Sequence, residues 1–366
     1  MTASVALEVN RTRHGESRLV DQDFGPLAEG HVRFRIDRLA VTANTVTYAV
    51  VGDMLGYWDF FPTGDPEWGR VPAMGWADVV ESAHPEVATG DRFYGWFPMA
   101  THLDVLVSPI AEGLRDDGPH RADHAAVYRT YTRTTDDPRY PKLSPDDEAL
   151  GDAEDRHALL RGLFLTGFLA DAHLDSDDYY GAEQVIVLSA SSKTAIGFAA
   201  QASKRPLAVV GITSPANVDF VRSLGCYLDV VTYDDISSLP VIPSVSVDMA
   251  GNGAALEAVH AHLDDQLLHS MTIGKSHHDS PPASLTTGPS PQFFFAPTAA
   301  GRLLESWGPD EFQRRADTAT HEFVSASNDW LTVQRSQGPD AAAATWREVY
   351  EGSVPPDIGR IISLHD

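Results

Sequence analysis

Hydrophobic and polar positions change rhythm twice along this chain. From Ser4 to about Val107 apolar residues alternate or cluster in short runs, VALEVNR, HVRFRIDRLAVT and ADVVESA, punctuated by Gly-Pro and Gly-Asp. A period near two with turn residues between the runs predicts strands. A polar stretch from about Ile110 to Arg156 comes next, rich in Asp and Pro (TRTTDDPRYPKLSPDDEALGDAEDR), and reads as excursion and linker. Then ALLRGLFLTGFLADAHL predicts a helix, followed by VIVLSA, a helix from Thr194, LAVVGIT, a helix from Pro215, DVVTY, SVSVDMAG and LLHSMTIG. Strands spaced by helix-length segments predict a parallel sheet with crossover helices. The tail from Ala299 is mainly helical and closes on RIISL, a short strand.

Composition narrows the partners more than the fold. A length of 366 residues favours two domains, and 43% hydrophobic with 22% charged residues is ordinary for a soluble globular protein. The net charge of −25 argues against a nucleic-acid backbone and against anionic lipid. No run has the apolar length of a membrane span, and MTASVALEVNRTRHG lacks the apolar core of a signal peptide, so a cytoplasmic location is expected. Cys226 is the only cysteine, which rules out an internal disulfide and a Cys-based zinc site.

Over nearly its full length the sequence resembles the medium-chain dehydrogenase/reductase superfamily, in its zinc-free quinone-oxidoreductase and enoyl-reductase branch. PLAEGHVRFRIDRLAVTANTV, VPAMGWADVVESAHPEVATGDRFYGW, VVGITSPANVDFVRSLGCYLDVVTY and VPPDIGRIISL carry the likeness. SASSKTAIG with GITSPANVDFVRSLG narrows it to a poorly characterised subgroup, a domain of unknown function. The resemblance implies an α/β protein with a GroES-like catalytic domain over 1–150 and a doubly wound Rossmann cofactor domain over 151–300. A helical return over 301–366 would pack on the catalytic domain. The zinc branch has a catalytic Cys and a Gly-His-Glu where this chain reads MGWAD, so no metal is expected.

The resemblance also picks out candidate residues. Ser189, Ser192, Lys193 and Ala195 stand where the zinc-free family usually has glycines, which let the backbone approach a pyrophosphate. Small serines keep part of that clearance, and the helix N-terminus still offers amides to an anion. Ser191, Ser192 and Thr194 add hydroxyls and Lys193 a positive charge, the alternative being that the loop has decayed and Lys193 is a surface residue. The second strand ends in GITSPAN, with no Asp or Glu to hold ribose hydroxyls. Thr213, Ser214, Asn217 and Tyr233 therefore favour NADP(H), although Ser214 is also a good helix cap before Pro215.

Hydride chemistry needs a group that stabilises charge developing on the acceptor. In GDMLGYWDF, Tyr57 matches the enoyl-reductase tyrosine; otherwise it is one more member of an aromatic wall with Trp58, Phe60, Phe61 and Trp96. His277, with His278 in TIGKSHHD, is the second candidate, or a solvated loop residue. The expected function is reduction of an activated alkene or carbonyl on a small apolar or aromatic substrate, or the reverse. A non-redox lyase or isomerase that keeps a nucleotide, and a non-catalytic nucleotide sensor, are the alternatives. The partners expected are that small molecule and a second copy of the chain.

Overall fold

The structure, a computed structural model, describes residues 4–144, 147, 149–274 and 283–366. Two compact units divide the chain: one runs to Leu159 and resumes over Leu331–Asp366, the other is Leu160–Trp330.

The first unit is built from strands Ser4–Asn10 (β1), Ser17–Gln22 (β2) and His31–Val41 (β3), then helices Ala43–Val50 (α1) and Gly52–Leu55 (α2). Strands Trp68–Gly69 (β4), Pro72–Ser82 (β5), Arg92–Pro98 (β6), His102–Ile110 (β7) and Gly113–Asp116 (β8) come next. A short helix, Ala126–Arg129 (α3), leads directly into Thr130–Arg133 (β9). Strand β1 lies antiparallel between β2 and β4. The order β3, β5, β6, β9, β8, β7 is antiparallel throughout, and β7 pairs back onto β3, so this sheet closes on itself. Alternation makes that closure possible. In β3, Val32, Phe34 and Ile36 are buried while their neighbours are half-buried, and Phe34 packs against Phe93, Phe97 and Tyr131.

The stretch expected to be excursion and linker is part of this sheet. Strands β8 and β9 are four residues each, too short for a periodic signal, and they exist because the ring needs them to close. Arg121 in the same stretch is fully buried.

Helix Ala149–Ser176 (α4) contains the division between the units. In the second unit come Gln184–Leu188 (β10), Lys193–Ala202 (α5), Ala208–Thr213 (β11), Val218–Ser223 (α6) and Asp229–Thr232 (β12). Ser244–Asp248 (β13), Gly253–Leu263 (α7), Leu267–Thr272 (β14), Gln292–Phe293 (β15), Ala296–Trp307 (α8) and Pro309–Ala326 (α9) complete it. Its six strands are all parallel, in the order β12-β11-β10-β13-β14-β15. That is the 3-2-1-4-5-6 order of a doubly wound sheet, whose direction of winding reverses beside β10. Every residue of β10 and β13 is buried, as expected of strands covered on both faces.

Thr332–Gln337 (β16), Pro339–Tyr350 (α10) and Ile358–Ser363 (β17) return to the first unit, where β17 pairs with the Leu39–Val41 end of β3. The division thus falls at 159 and 331 rather than at the expected 150 and 300. Helices α8 and α9 stay with the second unit because their apolar faces are used there. Phe323 stacks on Phe164 with ring centres 4.7 Å apart, and Lys204 pairs with Glu322 at 3.0 Å. No described helix is long and apolar enough to cross a membrane.

Candidate functional site

The loop after β10 keeps a glycine-like path without the glycine. Ser189 has φ +59°, the left-handed region that costs an L-residue roughly 1–2 kcal/mol and a glycine almost nothing. Its side chain is engaged: Ser189 Oγ lies 3.2 Å from the Tyr233 hydroxyl. The Ala190 amide donates to the Ile212 carbonyl and the Tyr227 hydroxyl donates to the Ala190 carbonyl, both at 2.9 Å, which pins the loop to the second strand. Ser192 then caps α5, its Oγ accepting from the Ala195 amide at 3.3 Å. Helix α5 opens at Lys193, with Lys193 and Thr194 both half-buried, so its amide-bearing end faces the loop.

Residues from the end of β11 join this loop. Thr213 is buried as the last residue of the strand. Ser214 occupies the cap position before Pro215, but its side chain makes no capping bond, and its carbonyl accepts from the Asn217 amide at 3.0 Å. Asn217 Nδ2 donates to Ser191 Oγ at 3.1 Å. Thus the pair Asn217–Ser191 ties the first loop to the turn after the second strand, and Ser189–Tyr233 ties it to the turn after the third. Burial raises the Tyr233 phenol, keeping it a neutral hydrogen-bonding group. The donor set is hydroxyls, an amide, an ammonium and a helix N-terminus, which fits a phosphate-bearing ligand.

Asp248 belongs to the same edge of the sheet and is a residue that pattern reading passes over. It is buried at the end of β13 and its Oδ1 accepts from the amides of Ala250 and Gly251, each at 3.0 Å. An acid closing the apolar run SVSVD is the signal the sequence carries for it.

In the first unit Tyr57 is 6% exposed and sits within an aromatic cluster. Its ring centre is 4.7 Å from Tyr48, 5.4 Å from Phe60 and 5.7 Å from Tyr128, and its hydroxyl is 3.2 Å from that of Tyr128. Asn44 Nδ2 donates to the Tyr48 hydroxyl. Burial pushes the Tyr48 and Tyr57 phenols up, so both remain protonated donors through the neutral range. His277, with His278 and Lys275, lies outside the described residues. Among the described residues no cluster of three or more His, Cys, Asp or Glu is disposed to hold a metal ion.

A six-stranded parallel sheet wound in this order, in a chain that also carries a closed antiparallel sheet, has the architecture of the medium-chain dehydrogenase/reductase superfamily. The chain belongs to the family described as protein of unknown function DUF2855, whose profile matches residues 39–355. No curated protein matches it. CurA from Vibrio vulnificus in complex with NADPH is similar at 15% identity and TM-score 0.62, over 100% of this chain and 99% of that one. The Etr1p/NADP/crotonyl-CoA complex is similar at 13% identity and TM-score 0.60, over 99% and 100% of the two chains. The yhdH oxidoreductase from Salmonella enterica in complex with NADP is similar at 13% identity and TM-score 0.54, over 98% and 99%. At these identities the likeness is one of fold.

Proposed function

We propose that this protein is a zinc-independent, NADP(H)-dependent oxidoreductase that reduces an activated alkene or carbonyl on a small apolar or aromatic substrate, or runs the reverse reaction. The observation that carries the reading is the loop Ser189–Thr194. It keeps the left-handed entry and the helix opening of a dinucleotide turn while replacing glycines with hydroxyl donors. In this reading the first unit is the GroES-like catalytic domain and the second the Rossmann cofactor domain. Solved proteins of this fold were crystallised with NADPH or NADP, which supports the choice of cofactor.

The residues present fit that group. Ser191, Ser192, Lys193 and Thr194 would hold the pyrophosphate, and Thr213, Ser214, Asn217 and Tyr233 the adenosine end with its 2′-phosphate. When bound, NADPH supplies the hydride. The protein supplies orientation and a hydrogen bond to the carbonyl oxygen as charge develops there, from the phenol pair Tyr57–Tyr128, with His277 as the second proton donor proposed. The partners proposed are the small-molecule substrate and a second copy of the chain.

Two experiments bear on this directly. Lys193→Ala should weaken NADPH binding by roughly 1–3 kcal/mol, the worth of a charge-assisted hydrogen bond. Fluorescence titration reads this, and unchanged affinity removes Lys193 from the pyrophosphate site. Treatment with EDTA should leave turnover intact, because MGWAD replaces the zinc branch's ligands. Stoichiometric zinc by elemental analysis would refute this. A protein that binds NADPH but reduces no enone, quinone or aromatic ketone is a sensor instead.

A further inference from the structure

The aromatic cluster is held by a residue that the reading above leaves unexplained. Arg121 is fully buried, its guanidinium 4.1 Å from the Phe60 ring centre and 5.2 Å from that of Phe61. It donates to the Phe60 carbonyl at 3.0 Å and to the Tyr128 carbonyl. Its nearest carboxylate, Asp116, is 3.7 Å away. A desolvated cation with two backbone acceptors is a costly clamp. It fixes the backbone of Phe60, which packs on Tyr57, and the backbone of Tyr128, whose hydroxyl meets that of Tyr57.

The two phenols are not equivalent. Tyr57 is buried, whereas Tyr128 is partly exposed on α3, beside Val127 at 49% exposure. Tyr57 is also enclosed by Tyr48 and Phe60, so the member of the pair reachable by a ligand is Tyr128. We propose that Tyr128 presents the phenol hydroxyl to the substrate carbonyl, with Tyr57 behind it as a positioning residue that donates to the Tyr128 oxygen. This rests on the reductase reading and refines it. A hydroxyl that accepts one hydrogen bond becomes a stronger donor of another. Burial raises both phenols, but their mutual hydrogen bond works to lower Tyr128 and to raise Tyr57. Neither phenol gives up its proton. Hydride from NADPH goes to the β-carbon of an enone, leaving NADP⁺. The carbonyl oxygen carries the enolate charge against Tyr128, and water protonates the α-carbon.

The test uses the full chain with NADPH and 4-phenylbut-3-en-2-one as the probe enone. Tyr128→Phe should lower kcat on the order of 10²-fold, with KM for the enone and Kd for NADPH little changed. Tyr57→Phe should cost about tenfold, and the double variant no more than Tyr128→Phe, as expected of groups acting in series. Melting temperatures of the variants check that each folds. Wild-type kcat in Tyr128→Phe beside a large loss in Tyr57→Phe overturns the assignment while leaving the reductase reading standing, and so do losses that multiply. A wild type that binds NADPH and turns over no enone overturns both. A second variant separates chemistry from packing: 3,5-difluorotyrosine at 128 keeps the shape but ionises more readily, so the alkaline limb of kcat should move to lower pH. Tyr48, Tyr57, His124 and Arg121 are the other titratable groups packed around it, and all are unaltered in that protein. An unmoved limb overturns the proposal.

Discussion

Gly167→Val is expected to destabilise the protein by about 3 kcal/mol and to abolish NADPH binding, the upper range for overpacking a tight contact. A Cβ at Gly167 in α4 would lie 2.5 Å from the Phe198 amide nitrogen and 2.8 Å from the Thr194 carbonyl oxygen. Both are backbone atoms of α5, so no side-chain rotation relieves the clash. The contact is reciprocal: a Cβ at Gly197 would meet Phe164 Cα at 3.1 Å. Helix α5 must therefore move, and its first turn is the proposed phosphate site. Gly301 in α8 is the control, since nothing lies within 4 Å of its Cβ position. Gly301→Ala should stabilise by about 0.5–1 kcal/mol through helix propensity and chain entropy. Urea denaturation with NADPH titration checks both, and a Gly167→Val protein with wild-type stability contradicts the helix contact.

NADPH should bind about 100-fold more tightly than NADH, close to 2.7 kcal/mol at about 1.4 kcal/mol per tenfold. An acid at the end of the second strand would hold ribose hydroxyls and repel a 2′-phosphate. Here that end is Thr213 and Ser214, with Asn217 bonded to Ser191. Ser214→Asp should shrink the preference by introducing the missing repulsion. Equal affinity of the wild type for the two cofactors, read by fluorescence titration, would overturn the NADP(H) assignment.

How far the sequence could be read depended on how local the determinants were. The doubly wound unit was legible because β10, β11 and β13 are apolar runs of five or six residues, each followed by a turn. The segment holding Arg121 and Tyr128 reads as linker because Asp and Pro dominate it. Its signal was VYRTYTR, with Tyr128 and Tyr131 three residues apart in an otherwise polar stretch. The handedness of Ser189 had no signal, since serine carries no preference for positive φ. There the backbone is held by tertiary bonds, from Ala190 to Ile212 and from Tyr227 to Ala190.

The alternation of strands and helices in the parallel unit, the helix openings near Lys193 and Pro215, and the lack of an acid after β11 come from residue type and spacing, because each is settled within about ten neighbours. Closure of the first unit's sheet is different. It depends on His31–Arg35 meeting β7 while Leu39–Val41 meets β17, a strand more than 300 residues further along the chain. The clustering of Tyr57 with Tyr128 likewise waits on Arg121 burying its charge between Phe60 and α3. Contacts of that separation are chosen by the free energy of burying and pairing groups that no local pattern brings together, so they emerge only when the chain is folded.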